Sequence, residues 1–311
     1  MSSIESASGA RHLDPVAVNA ALRRLARAPE PPWLHAEVAR RMAEKLEVIL
    51  HRPEVVVDWW SGLGAGAELL ARAYPKAQRV LVEPDAVWAA RTRAGLQRPW
   101  WSAERWTAAP ASVVTADATM PSGVGLVWAN MMLHALVDPT ALIEQWQRLL
   151  RADGFVMFSC LGPGTLRELR ALYERLGWPV PTPAFVDMHD FGDMLVHAGF
   201  ADPVMDQETL TLRWSSPRAL LAELRSLGGN AAPDRFQGLR TPRWRAHLER
   251  ELASLSDPDG TIAMSFEVAY GHAFKAAPSL RVGEATTVSL ADMRAMVRTS
   301  HGRSGTRQRL R

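Results

Sequence analysis

Cysteine is almost absent from this chain of 311 residues: there is one, Cys160. That excludes a disulfide framework and any multi-cysteine metal site, and it suits a reducing compartment. No apolar run approaches the roughly 18 residues that a membrane-spanning helix needs, so no membrane partner is expected. Met1–Arg11 lacks the apolar centre of a secretory signal, and a cytoplasmic protein is the expectation. Internal repeats and low-complexity tracts are missing too. What is there is ordinary globular composition, 47% hydrophobic and 22% charged, which excludes a disordered or collagen-like chain. A chain of this length has ample apolar surface for a substantial core.

The formal charge of +3 is unevenly spread. From Met293 onward there are six arginines (Arg294, Arg298, Arg303, Arg307, Arg309, Arg311) and no acid. Taking those six from the 36 basic residues leaves 30 against 33 acidic ones, so the high isoelectric point is partly a property of the tail. A solvated end is the simplest reading of it. No zinc, helix-turn-helix or aromatic RNA-binding motif accompanies the tail, and nucleic acid is not an expected partner.

Along the chain, Leu34, Val38, Met42, Leu46 and Ile49 recur at helical spacing and predict a helix over about 34–50. Another is predicted near Pro15–Arg27, with prolines breaking between the two. A β/α alternation follows. Glu54–Trp60, Arg79–Glu83, Ser112–Ala116, Val124–Asn130 and Phe155–Cys160 read as strands, the last after an Ala152-Asp153-Gly154 turn. Asp138-Pro139 reads as an N-cap and first helical position. The last third breaks the rhythm with a helix near Val186–Ala198, a strand at Pro203–Trp214, two arginine-rich helical stretches within Pro217–Ser256 and a strand at Ile262–Phe274. The expected fold is α/β: a doubly wound, mostly parallel, seven-stranded Rossmann-like sheet with one antiparallel late strand and a helical lid insertion. The expected organisation is an N-terminal helical extension (1–52), the main domain (53–275, lid about 215–258) and a basic C-terminal tail (276–311).

The strongest site signal is Val57-Asp58-Trp59-Trp60-Ser61-Gly62-Leu63-Gly64-Ala65-Gly66, where the first strand ends. Glycines there let the backbone approach a ligand, and ligands of open α/β sheets sit beyond the carboxyl ends of the strands. Glu83, ending the second strand, suits the hydroxyls of a ribose, as in a dinucleotide or in S-adenosylmethionine. The glycines are spaced GxGxG rather than GxGxxG. Asp58 would repel a pyrophosphate but suits a cationic ammonium. Asp117-Ala118, after the third strand, offers an acceptor for an adenine amino group, and Asn130 ends the fourth. Together these favour S-adenosylmethionine over a nicotinamide.

On these residues the chain from Val55 to Phe274 resembles a class I S-adenosylmethionine-dependent methyltransferase. It is most similar to the malonyl-acyl-carrier-protein O-methyltransferases of biotin synthesis, through Leu126-Val-Trp-Ala-Asn130, Leu142-Ile-Glu-Gln-Trp146, Asp153-Gly-Phe-Val-Met-Phe-Ser159, the Phe185–Phe200 stretch and Leu224-Arg-Ser-Leu-Gly-Gly229. A mitochondrial assembly factor that hydroxylates an arginine is similar in the same regions. The resemblance implies Asp58, Gly62 and Gly64 around the methionine part of the cofactor, Glu83 on the ribose and Asp117-Ala118 on the adenine. It implies Arg225 as the residue that binds the malonyl carboxylate. The implied partner is acyl carrier protein or malonyl-CoA. The alternatives are a cofactor-impaired paralogue of the fold and a methyltransferase for another acceptor.

The sequence departs from the family at Trp60, where glycine is usual and where an indole would fill the cofactor's space or push the loop out. It departs also at Leu63 and in Ala26–Pro32. Of the other chemistry-bearing residues, Trp100, Trp101 and Trp106 are expected to pack, and His134 to be structural. Asp187, His189, Asp190 and Asp193 are expected to cap or solvate a helix start. Arg235, Arg240, Arg243, Arg245 and Arg250 form a basic lid stretch able to meet an acidic carrier.

Overall fold

In a computed structural model, residues 13–96 and 110–276 are described, and they fall within one compact unit. Trp100, Trp101, Trp106 and the arginine-rich tail lie outside the described residues. Seven strands, β1 (Val55–Trp59), β2 (Gln78–Glu83), β3 (Ala111–Thr115), β4 (Val124–Ala129), β5 (Leu150–Leu161), β6 (Phe200–Trp214) and β7 (Ile262–Lys275), form one sheet in the order β3-β2-β1-β4-β5-β7-β6. β7 runs antiparallel to β5 and β6, while the pairs among β1 to β5 are parallel.

The central strands are apolar almost throughout because helices cover both faces. On one face, Val57, Val127, Val156 and Phe158 join the core of α5 (Ala86–Leu96), α6 (Pro139–Leu149) and α8 (Met188–His197) through Trp88, Trp146 and Phe191. On the other, Val56, Leu126 and Met157 meet α2 (Trp33–Leu46), α4 (Ala67–Ala73), α7 (Arg167–Arg175), α9 (Pro217–Ser226) and α10 (Pro242–Ala253). Each fully buried aliphatic or aromatic side chain of this kind contributes about 1.5–3 kcal/mol.

Helix ends follow the sequence signals. Asp14 caps α1 (Pro15–Leu25), and Asp138 caps α6 by accepting from the Ala141 N–H at 3.1 Å. Asp187 caps α8, accepting from the backbone and ring of His189 at 2.8 and 2.6 Å. No cluster of three potential metal ligands occurs among the described residues. No helix among them is long and apolar enough to cross a membrane.

Two features depart from the sequence reading. α7 was not foreseen, and Ala152–Gly154 lies inside β5 rather than ahead of it. There β5 loops out between residues paired with Val124 and Leu126, with Asp153 at φ 61°. A bulge of this kind looks like a turn in sequence because it uses turn residues.

Candidate active site

β1 lies between β2 and β4, where the chain winds outward in both directions, so its carboxyl end opens on the crevice where α/β sheets bind ligands. Asp58, Glu83, Ala118 and Asn130 come from the ends of β1, β2, β3 and β4. After β1 the backbone turns sharply at Trp60, φ 57° and ψ 48°, into a short helix, α3 (Ser61–Gly64). The left-handed conformation therefore falls on the tryptophan, at a cost of about 1–2 kcal/mol, and not on the glycines beside it. Close packing explains two of those glycines. A Cβ on Gly62 would lie 2.9 Å from Thr92 Oγ1 and 3.2 Å from Glu83 Oε1, and one on Gly66 would lie 2.5 Å from the Trp128 indole nitrogen.

Asp58 and Glu83 are 1% and 0% exposed. Ser61 Oγ donates to Asp58 Oδ2 at 2.6 Å. The Gly62 N–H and Thr92 Oγ1 donate to Glu83 Oε1 at 2.8 and 2.6 Å. The other oxygens, Asp58 Oδ1 and Glu83 Oε2, are buried without a hydrogen-bond donor. Burial pushes the Asp58 carboxyl up to about 7; the Ser61 bond pulls it back and the Glu83 charge adds to the rise. Glu83 is likewise raised by burial, against the bonds from Thr92 and Gly62. Two buried acids, each with one oxygen lacking a donor, cost free energy that a ligand bringing a cation and hydroxyl donors would recover.

The Asn130 side chain, expected to line the cofactor crevice, is engaged within the protein. Its amide nitrogen donates to the carbonyls of His35 and Gly64 at 2.8 and 2.6 Å, and its Oδ1 accepts from Ser159 Oγ at 2.6 Å. It ties the glycine turn to α2 and β5. His35 shares that framework, its Nδ1 lying 3.1 Å from the Leu63 carbonyl, so that Nδ1 carries the proton. Burial lowers its pKa to about 4, and the ring is neutral at physiological pH. Asp117 is exposed and Ala118 half-buried after β3.

Next to the glycine turn lies a cavity of about 580 Å³, lined by α1, α9, the loop after α9, α10 and the segments following β4 and β5. His35, Leu63, Met131 and His134 form part of its wall. Arg24, Arg225 and Arg240 line it, no aspartate or glutamate does, and none of the three arginines makes an ion pair among the described residues. His134, in the wall, accepts at Nδ1 from the Leu161 N–H at 3.4 Å, and its ring stands edge-on to Phe185. The wall does not include Asp58, Gly62 or Glu83. Trp60, 6% exposed, belongs to the core cluster that contains Leu22, Leu25, Leu63 and Trp88.

α1 forms one wall of the cavity and is tied to the loop after α9. The Asp14 N–H donates to the Ala231 carbonyl at 2.9 Å, and Asp14 Oδ2 pairs with Arg235 at 2.6 Å. Arg91 holds the following loop by donating to the carbonyls of Leu25, Ala26 and Pro29 at 3.0–3.1 Å. Of these cavity residues the resemblance names Arg225; Arg24, Arg240 as a cavity residue, and His35 are not among the sequence expectations. Arg240 is legible in sequence only as a member of the basic lid stretch, His35 only as a polar residue on an apolar helix face, and nothing in the sequence sets Arg24 apart from the neighbouring Arg23.

No family model matches the chain. It is 38% identical over 251 residues to the malonyl-[acyl-carrier protein] O-methyltransferase of Laribacter hongkongensis, covering 78% of this chain and 83% of that one. It is 36% identical over 249 residues to the enzyme of the same name from Gallionella capsiferriformans, covering 79% and 85%. Among solved structures, a Bacillus halodurans protein described as a methyltransferase superposes with a TM-score of 0.53 at 12% identity, over 77% of this chain and 99% of that one. At that identity the likeness is one of fold.

Proposed function

Because the chain belongs to the malonyl-[acyl-carrier protein] O-methyltransferase family, we propose that the ends of β1 to β3 bind S-adenosylmethionine and that the neighbouring cavity takes the free carboxylate of a malonyl thioester. The observation that carries the reading is a cavity wall with three guanidinium groups and no carboxylate, near two buried acids that each keep one oxygen without a donor. Those orphaned oxygens fit the cofactor's ammonium and ribose hydroxyls, with Asp58 taking the first and Glu83 the second. Asp117 and Ala118 take the adenine side, Gly62 and Gly64 let the backbone come close, and Asn130 holds Gly64 in place. When bound, the cofactor supplies an electrophilic methyl group.

The chain's own task is then positioning. A malonyl carboxylate is ionised at neutral pH, far above its reference pKa, so no general base is required. Arg225 grips it through a two-pronged guanidinium–carboxylate contact and orients one oxygen for displacement. The products are a methyl ester and the demethylated cofactor. The ester masks the negative charge, which lets chain-elongating enzymes with apolar tunnels accept the acyl group on the way to biotin. Acyl carrier protein is the partner in this reading, with coenzyme A as the alternative carrier.

Incubation with methyl-labelled S-adenosylmethionine and malonyl carrier protein, malonyl-CoA or free malonate tests this. Base-labile label on a malonyl thioester is expected. Label on none of them, or on free malonate alone, defeats the reading.

In this reading the buried Trp60 indole, where the family has glycine, stands in the way of a nucleoside approaching Glu83. Trp60→Gly removes a buried indole, worth about 3–5 kcal/mol, and relieves the left-handed strain. We expect a lower melting temperature together with tighter cofactor binding, by about tenfold in titration calorimetry. Weaker binding would make Trp60 part of the cofactor's floor and not its cover.

A further inference from the structure

The three cavity arginines are not equivalent. Arg225 stands in the last turn of α9 and Arg24 on an exposed face of α1, beside Gly229. Arg240 is fixed in place. Its guanidinium carbon lies 3.7 Å from the centroid of the Phe236 ring and 4.1 Å from that of Trp244. A cation held against ring faces keeps its N–H edges available, and no hydrogen bond or ion pair from Arg240 to a described residue uses them. The loop that carries it is open to solvent, with Leu239 98% and Phe236 44% exposed, so Arg240 stands at the rim of the cavity.

Charge balance asks for a second anion. A malonyl carboxylate on Arg225 supplies one negative charge to a wall carrying three positive ones, with no acid in that wall to offset the rest. An acceptor delivered on a pantetheine arm carries its next negative charge on the arm's phosphate, at the end away from the thioester. Resting on the function proposed above, we propose that Arg240 binds this phosphate and so selects phosphorylated pantetheine thioesters as acceptors. A guanidinium edge matches two phosphate oxygens, and the flanking rings have already restricted the side chain, which lowers the ordering cost of binding. The carrier-protein arm and coenzyme A share this chemistry.

The test compares malonyl-pantetheine, malonyl-4′-phosphopantetheine, malonyl-CoA and malonyl carrier protein as acceptors for the full-length protein and for Arg240→Gln. The expected result is a KM for the phosphorylated acceptors about tenfold higher in the variant. Its kcat should be unchanged and its kinetics with malonyl-pantetheine unaltered, with partial rescue by Arg240→Lys. Equal losses on all four acceptors would overturn the proposal in favour of a purely structural lid residue. A loss confined to carrier protein would overturn it in favour of a contact with the protein surface. Calorimetry with 4′-phosphopantetheine and pantetheine reads the same contact without turnover: tighter binding of the phosphorylated form is expected, and it should disappear in Arg240→Gln. If the unaltered protein methylates none of the thioesters, the functional reading fails, while the calorimetric comparison still decides the role of Arg240.

Discussion

Arg225→Gln is expected to lower kcat/KM for carboxylate methylation by two to three orders of magnitude and to leave S-adenosylmethionine affinity within twofold. Losing a charge-assisted, two-pronged contact with a carboxylate costs about 3–4 kcal/mol when the anion has been desolvated. That converts to a factor on the order of 10² to 10³ in rate. The side chain is exposed and without an ion pair among the described residues, so folding should change by less than about 0.5 kcal/mol. Arg225→Lys keeps the charge but not the fork and should recover only part of the loss. Steady-state kinetics with malonyl thioesters, alongside calorimetric titration of the cofactor, separates the two effects. A parallel loss of cofactor binding would remove Arg225 from the acceptor site and make it a support of the lid.

Asp58→Asn should act in opposite directions on stability and on binding. With a pKa near 7 in the folded chain against about 3.8 when unfolded, Asp58 binds more protons folded than unfolded throughout that interval. Stability of the unliganded protein therefore falls as pH rises from about 4 to 7, and the penalty is complete above 7. Three pKa units set its order of magnitude at about 4 kcal/mol. Glu83, raised by the same cause, adds in the same direction. Asparagine retains the shape and the Ser61 contact without the charge. The variant should melt higher than the parent at pH 8, by several degrees, and its melting temperature should vary less with pH. It should also lose S-adenosylmethionine affinity by about a hundredfold, because the cation's counter-charge is gone. In the parent, affinity for the cationic cofactor should rise between pH 6 and 8 as Asp58 gives up its proton. Thermal melts and calorimetry at those pH values check both halves. A variant that melts lower at pH 8 would show that the carboxylate is paired in solution.

Much of the architecture was legible from local chemistry. The runs Val55–Trp59 and Val124–Ala129 announce strands buried on both faces, and Asp138-Pro139 announces a helix start, because period and capping are short-range properties. α7 escaped notice because charged residues dominate it, and only Leu169 and Leu172 are buried along its length. The positions of Asp58 and Glu83 at strand ends followed from the β/α rhythm. That each acid keeps one oxygen without a donor did not, since it depends on how Ser61, Gly62 and Thr92 fold back upon them.

What the amino-acid order determined by itself was the succession of strands and helices, the glycine-bearing loop at the end of the first strand, and the family to which the chain belongs. Tertiary structure alone decided which side chains share one space. Arg24, Arg225 and Arg240 come from α1, α9 and the loop before α10, and Asn130 reaches a carbonyl 95 positions away in the chain. Tertiary structure also turned Asn130 inward and set Arg240 against two aromatic rings. Periodicity carries no information about such meetings, because they are set by the packing of elements far apart in sequence and by the need to pair every buried polar group.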